Sequence, residues 1–486
     1  MKQSKSKFIW GGILAVIVVL TVAVIATPWG RALAHYVVRE GRSAVVSTVP
    51  SAGLTPKYIR QLVTPDMSTS RIIMWETEKP QEDPVVLYKE KGAADTTIIT
   101  VPATMDTFTE DGVTRYIYRA HIKDLTPNKE YAYRVGPNMV GPDWSELNTR
   151  VNGEFTALVF PDSQSSDYRG WKELVKTAYA QYPEAAFYVN MGDLVDNGES
   201  AYQWDSWFDA VEPMAARIPL AAVMGNHEYY SLDWKVKTPN AFDHFFRYDS
   251  PILGDGTSSV TANGTSGGRL TDNSGVSQDT ATRSNTSLAG VVLTEEQQVA
   301  SNMSRRAYYS YDYGDVHFVV LNTQFNEMDE AYRDAVMNEE LAWLRSDLAA
   351  TTKPWKVVLM HKDTFRYPYT KNPNIEPGFN ELAHMFMPIF DEYKVDLVLS
   401  AHLHMYRRRG HVEDFKRSET GPSYVLTGVA GDVKYANIWL SHPFDEYVSP
   451  YVDGDNYLVL ERKGADLTVK AYLQDGTLFD EMTLSK

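Results

Sequence analysis

Five short polar motifs, spread over about 240 residues, each follow an apolar run. They are Pro161-Asp162-Ser163-Gln164, Gly192-Asp193-Leu194-Val195-Asp196-Asn197-Gly198, Gly225-Asn226-His227-Glu228, Met360-His361 and Ala401-His402-Leu403-His404. The runs before them are Thr156 to Phe160, Ala186 to Asn190, Leu220 to Met224, Lys356 to Leu359 and Val395 to Leu399. Continuous apolar runs of this length mark parallel strands buried on both faces, and α/β sheets bind ligands at the carboxyl ends of their strands. The motifs are therefore expected to converge on one edge of one sheet.

The residue types suit a pair of metal ions. Two ions roughly 3.5–4 Å apart need a carboxylate to bridge them and further N and O donors to fill each shell. Asp193 is the candidate bridge. His361, His402 and His404 offer imidazoles, and Asn226 an amide oxygen. A water between two such ions becomes acidic enough to attack phosphorus in line. His227 follows Asn226 directly, so it is expected beside the ions, stabilising phosphoryl charge or protonating the leaving oxygen. Taken singly, each motif has a plainer explanation: Gly-Asp as a turn, Asn-His-Glu as a polar loop, His-x-His as surface residues. Their joint occurrence, in order and each after an apolar run, carries the metal reading.

The series resembles the calcineurin-like metallophosphoesterase family, whose pattern is Asp-x-His, Gly-Asp-x-x, Gly-Asn-His-Glu/Asp, a strand-end His and Gly-His-x-His. With the domain before it, the chain is similar to the purple acid phosphatase branch. The resemblance covers roughly Asn152 to Lys486. It implies that Asp162, Asp193 and His404 hold one metal, that Asp193, Asn226, His361 and His402 hold the other, and that His227 is the acid or phosphate contact. It also implies an αββα sandwich and two ions drawn from Fe, Mn or Zn. Three positions depart from the pattern. Gln164 stands where many members have His and purple phosphatases have Gly; it is counted with the ligands through its amide oxygen, or else it hydrogen-bonds a metal-bound water. Asp196 stands where purple phosphatases carry a tyrosine ligand. Ala401 replaces a Gly, which is acceptable unless that position needs a positive φ.

The 486-residue chain is long enough for two or three domains. Its net charge of −16 opposes nucleic-acid binding through a broad basic face. It does not oppose a small phosphate ester, because metals supply local positive charge. There is no cysteine, which excludes disulfides, thiolate metal sites and thiol catalysis. Lys2, Lys5 and Lys7 precede an uncharged run from Phe8 to Ala26. Nineteen helical residues span about 28 Å, close to a bilayer core, and the basic end stays in the cytoplasm. Residues 1–34 are thus expected to be an uncleaved single-pass membrane anchor with the enzyme outside the cytoplasm. Secretion after cleavage at Ala32-Leu33-Ala34 is the alternative.

After a linker at 35–50, residues 51–150 read as an all-β unit, with strand-like Arg71 to Thr77, Val85 to Tyr88, Thr96 to Val101, Thr114 to Ile122 and Glu130 to Val135. Leu125-Thr126-Pro127 followed by Tyr131 to Gly136 resembles fibronectin type III domains and the purple phosphatase N-terminal domain, with Trp75 and Tyr133 as core packing. Residues 151–486 form the catalytic domain, in which helical stretches (Tyr168 to Tyr182, Gln203 to Arg217, Glu339 to Thr351) alternate with strands, so a layered α/β fold is expected. An insertion at 254–289, rich in Ser, Thr, Gly and Asn, cannot bury a core and reads as a surface loop rather than a lid. It holds sequons at Asn263 and Asn285. Arg407, Arg408 and Arg409 follow His404 closely; they read as a solvated charge run, with substrate contact by one of them as the other reading. The function expected is hydrolysis of a small-molecule phosphoester, a monoester in the first instance, with a phosphodiesterase, a nucleotidase or a non-catalytic cell-surface binding protein as alternatives.

Overall fold

A computed structural model describes residues 53–136, 144–151, 153–254, 288, 291–435, 438–452 and 454–486. The segments 1–34 and 35–50, the sequons, and the 254–289 insertion apart from Gly254 and Leu288 lie outside the described residues. No helix among the described residues is long and apolar enough to cross a membrane.

The N-terminal unit holds strands β1 (Lys57–Leu62), β2 (Arg71–Thr77), β3 (Val85–Glu90), β4 (Ile99–Pro102), β5 (Thr104–Glu110), β6 (Val113–Ile122), β7 (Glu130–Val135) and β8 (Ser145–Asn148). They form two layers, ordered β1-β2-β6-β5 and β4-β3-β7-β8. The alternation of β7 puts Tyr131, Tyr133 and Val135 inward, against Ile73, Trp75, Val86 and Tyr118. Trp75 and Tyr118 stack with centroids 5.1 Å apart. Both Trp75 and Tyr133 are fully buried core residues, as expected. The expected strand from Thr96 begins instead as a 3₁₀ turn, Asp95–Thr97, before β4.

Strand β2 is buried along its whole length. Ile73 and Trp75 face the sandwich core, while Ile72 and Met74 on the opposite face belong to the core of the next domain. The cause is a shared sheet. Strands β9 (Phe155–Phe160), β10 (Tyr188–Asn190) and β11 (Leu220–Ala222) run parallel, and β1 pairs with β11 through Leu62 and Leu220. On the other side β9 is followed by β22 (Asn456–Lys463), β23 (Asp466–Leu473) and β24 (Leu478–Ser485), which completes ten strands.

A second sheet is ordered β12-β13-β14-β17-β20-β18-β19. Its strands are β12 (Tyr309–Tyr313), β13 (Val316–Leu321), β14 (Trp355–Met360), β17 (Leu397–Ser400), β18 (Met405–Glu413), β19 (Lys416–Arg417) and β20 (Ser423–Gly428), with β21 (Tyr447–Val448) beside β18. A hairpin of β15 (Phe365–Arg366) and β16 (Gly378–Phe379) stands apart. The period-two alternation of β13 sorts the layers. Val316, Phe318 and Val320 meet the first sheet, and Val319 and Leu321 meet helices. Helices α1 (Arg169–Gln181) and α2 (Ala201–Ala215) cover the first sheet; α5 (Arg333–Ala350) and α6 (Glu381–Glu392) cover the second. The short α3 (Asn240–Phe245) and α4 (Glu295–Arg306) lie between these pairs in sequence. The order helix, sheet, sheet, helix is the expected αββα sandwich.

Candidate metal centre

Asp162, Asp193 and Asn226 follow β9, β10 and β11 in the first sheet, whereas His361 and the His402–His404 pair follow β14 and β17 in the second. The motifs therefore meet at the cleft between two sheets, not along the edge of one. The sequence is silent on this point because either arrangement buries both strand faces. Bonds across the cleft lock the two halves: His361 Nδ1 donates to the Met191 carbonyl at 2.9 Å, and the Ala430 N–H to the Asp162 carbonyl at 2.8 Å.

The side chains form two overlapping donor clusters. One is Asp193, His361 and His402; the other is Asp162, Asp193 and His404. In each, one ligand atom per residue lies within 4.8 Å of the others, and Asp193 belongs to both. His361 Nε2 sits 3.1 Å from Asp193 Oδ2 and 3.2 Å from Asn226 Oδ1. His404 Nε2 lies 3.6 Å from Asp162 Oδ1, with its Nδ1 fixed by the Val433 carbonyl at 2.7 Å. That tie leaves Nε2 free to ligate. His227 stands beside this set, its Nε2 4.0 Å from Asp193 Oδ2 and its Nδ1 2.7 Å from the Asp196 carbonyl.

Electrostatics asks for cations here. Asp162, Asp193 and Glu228 are buried, and none has Lys or Arg among its hydrogen-bond or ion-pair partners in the described residues. Burial pushes the Asp162 carboxyl up to about 7 against the pull of His361, and the Asp193 charge adds to it. Glu228 rises to about 7 for the same two reasons. Burial works the same way on Asp193, but His361 and His227 outweigh it and hold that carboxyl low. Burial also opposes charge on the imidazoles, yet the two aspartates lift His361 to about 9. His404 falls to about 4 and His402 well below its ordinary range, chiefly by burial. The neutral imidazoles of His402 and His404 are in the state a metal takes, whereas His361 would give up its proton on binding one. His402 Nδ1 and Gln164 Oε1 are buried with no hydrogen-bond partner among the described residues. This donor set fits two ions.

The backbone is strained where the ligands are. Asp193, His402 and His404 have φ of 48°, 74° and 52°. Positive φ outside glycine is uncommon and collects at functional sites. Ala401 does not need one, so its departure from Gly is harmless; the left-handed residue is its neighbour His402. Two glycines allow close approach. A Cβ on Gly192, at φ +100°, would meet His361 Nδ1 at 2.4 Å, and one on Gly225 would meet Asp193 Oδ1 at 2.1 Å.

Other expectations fare differently. Gln164 is buried beside the clusters, but its side-chain contacts run through Nε2, to Asp196 Oδ1 at 3.3 Å and to His227 Nε2 at 3.5 Å. Asp196 belongs to neither cluster. The three arginines after His404 turn away: Arg407 pairs with Asp445, Arg408 with Asp480 and Glu446, and Arg409 with Asp363. Their own strand, β18, is paired on both sides, and an acidic partner from another segment, earlier for Arg409 and later for Arg407 and Arg408, claims each cation.

Two neighbours escaped the sequence reading. Glu228 accepts from the backbone N–H groups of Asp193, Leu194 and Gly225 at 3.1, 2.8 and 2.7 Å, tying the second motif to the third. The acidic residue closing Gly-Asn-His-Glu was the signal. Tyr435 stacks on His404 at 4.3 Å, and burial, Asp193, Asp162 and Asp196 push its phenol up to about 12. It comes from a loop without any motif, so nothing in the sequence marked it.

A cleft of carboxylates and imidazoles at strand ends, on a two-sheet sandwich, is the scaffold of a binuclear metallohydrolase. The model of the calcineurin-like phosphoesterase family matches residues 155–406, and that of the purple acid phosphatase N-terminal domain matches residues 56–150. The chain belongs to the calcineurin-like phosphoesterase family, whose members are metal-dependent phosphoester hydrolases. It is similar to Arabidopsis thaliana "Probable inactive purple acid phosphatase 9", at 25% identity over 342 residues, 65% of this chain and 47% of that protein. Purple acid phosphatase 23 of the same plant is 23% identical over 239 residues, 49% of this chain and 39% of that protein. The chain thus spans about half the length of the curated relatives it matches. A purple acid phosphatase from yellow lupin (Lupinus luteus) seeds shares the fold, with a TM-score of 0.63 at 17% identity over 89% of this chain and 74% of that one.

Proposed function

We propose that this protein hydrolyses phosphomonoesters with two bound metal ions, on the outer side of a cytoplasmic membrane. The observation that carries the reading is the membership of Asp193 in two donor clusters at once. Asp162, Asp193 and His404 would hold one ion, and Asp193, Asn226, His361 and His402 the other. Bound there, the ions would acidify water and neutralise phosphoryl charge. The chain's own residues do the rest. Asp193 presents one oxygen to the His227 backbone N–H at 2.8 Å, which fixes the carboxylate's plane. His227 has Nδ1 committed to the Asp196 carbonyl, so Nε2 points toward Asp193 and would meet a phosphoryl group held at the clusters. Water oxygen bonds to phosphorus, the bond from phosphorus to the leaving oxygen breaks, and His227 Nε2 supplies that oxygen with a proton. The sums are one water consumed, and one phosphate and one alcohol released.

The location rests on Lys2, Lys5 and Lys7 before the apolar run Phe8 to Ala26. Membrane fractionation with protease added to intact cells tests it; a soluble, protected protein would contradict it. The activity is tested by assaying purified full-length protein on glycerol 2-phosphate, 4-nitrophenyl phosphate and bis(4-nitrophenyl) phosphate, before and after chelation. Monoester turnover lost on chelation and restored by Fe, Mn or Zn supports the reading. Turnover confined to the diester replaces the monoester assignment. No turnover by metal-loaded protein contradicts the enzyme.

A further inference from the structure

A cavity of about 610 Å³ begins at His402 and extends away from the donor clusters beneath α5 and α6. That volume is within the range of pockets for drug-sized ligands and exceeds the need of a phosphate group. One wall is aromatic, made of Phe365, Tyr367, Tyr369 and Trp439. It is built from two paired segments: the Thr370 N–H donates to the Ile438 carbonyl at 2.8 Å, and the Leu440 N–H to the Pro368 carbonyl at 3.0 Å. Trp439 Nε1 then donates to the Leu403 carbonyl at 3.0 Å, which fastens the wall to the loop carrying His402 and His404.

Polar groups face the same space. Arg333 gives one nitrogen to the Met328 carbonyl at 3.0 Å, while its Nε is buried with no hydrogen-bond partner among the described residues. Arg366 bonds the Glu376 carbonyl at 3.1 Å. Carboxylates of Asp334 and Glu381 line the cavity too, so it offers acceptors as well as donors. Two other charges of the lining are satisfied internally: Lys362 by Glu327 and Asp363 by Arg409. The cavity is therefore neither a general anion trap nor a plain apolar hole. It offers rings for stacking, and convergent donors and acceptors for a planar polar group.

We propose that this cavity takes the leaving group of the substrate, and that the leaving group is a nucleoside. Trp439 stacks the base, with Tyr369 set edge-to-face against it at 5.9 Å, Arg333 and Arg366 donate to the base's acceptors, and Asp334 and Glu381 receive its amino or hydroxyl hydrogens. The substrate class is a nucleoside monophosphate with its phosphoryl group at the donor clusters. The inference rests on the phosphoesterase reading for the phosphate end alone.

The test uses metal-loaded full-length protein and two probes. Adenosine carries no phosphate, so its binding by calorimetry reads the cavity without any turnover. The ratio of kcat/KM for adenosine monophosphate to that for glycerol 2-phosphate reads the cavity during hydrolysis. Wild-type protein is expected to bind adenosine and to prefer the nucleotide. Trp439→Ala and, separately, Arg333→Gln are expected to weaken adenosine binding and lower the ratio about tenfold, as loss of a stacked base or a charged hydrogen bond does. The second variant guards against a Trp439 change that merely loosens the Leu403 loop. Hydrolysis of both esters with no adenosine binding, and a ratio that neither variant moves, overturns the cavity and leaves the hydrolase intact. Adenosine binding that both variants weaken, without hydrolysis of either ester, supports the cavity and sinks the hydrolase.

Discussion

At the level of single residues, the site separates ligands from a proton donor. His227 is expected to be the latter: it lies beside Asp193 without joining either cluster. His227→Ala should keep its metal and lose about 10²–10⁴-fold in turnover, most for esters with poor leaving groups. Metal content and kcat on a leaving-group series check this; loss of metal would make His227 a ligand. A second prediction concerns colour. A tyrosinate on ferric iron colours purple phosphatases, as the family resemblance implies, and here Asp196 occupies that position. The iron-loaded protein should be nearly colourless by visible absorption. If an intense band appears, the phenol responsible is expected to be Tyr435, stacked on His404, and Tyr435→Phe should abolish it. Sequence reading reached the ligands because each sits within four residues of the carboxyl end of a strand, where a short motif is a local event. It could not reach Tyr435, which approaches from a loop about thirty residues past His404.

Elements respond to the same logic of register and charge. His317 on β13 is held between Asp312 of β12 at 2.7 Å and Asp347 of α5 at 2.8 Å. Burial opposes its charge, but the two carboxylates win and raise it from 6.5 to about 9. A raised imidazole stabilises the fold fully below about pH 6.5, and that contribution is lost as pH climbs through about 9. His317→Gln should therefore destabilise the fold most near pH 6, by up to about 3 kcal/mol of unfolding free energy, with the gap to wild type closing above pH 9. A gap constant in pH would mean that packing alone is at stake. The loop after β11 is constrained by Gly225, where a Cβ would strike Asp193. Gly225→Ala should displace the bridge and lose metal, while the fold loses about 1–3 kcal/mol of unfolding free energy, as for other overpacking. Strands with continuous apolar runs were legible. Strand β5 was not, since four of its seven residues are exposed and it shows no apolar run. The helix expected at Glu339 begins at Arg333, because its first six residues carry Arg, Asp and Asn alongside their apolar residues.

Across the whole molecule, the two domains legible in sequence share one sheet. Leu62, Met67, Ile72, Met74, Phe108 and Ile117 of the N-terminal unit belong to the same core as the catalytic strands. Arg115 bridges Glu76 at 3.0 Å and Asp205 of α2 at 2.7 Å, both buried. Sequence composition could mark a change near residue 150 but not this pairing, because a β-edge leaves no trace until its partner is known. A chain starting at residue 151 would bare the β11 edge and an apolar face, so it is expected to be insoluble or unfolded by circular dichroism. A stable, active fragment would contradict that. The central claim is that Asp193 joins two metal sites into one catalytic centre, and metal content per chain tests it most directly. Elemental analysis of purified wild-type protein should give about two transition-metal ions, and Asp193→Ala should lose most of both together with phosphoester turnover. Undiminished turnover by wild-type protein free of metal, or by Asp193→Ala, would contradict the account.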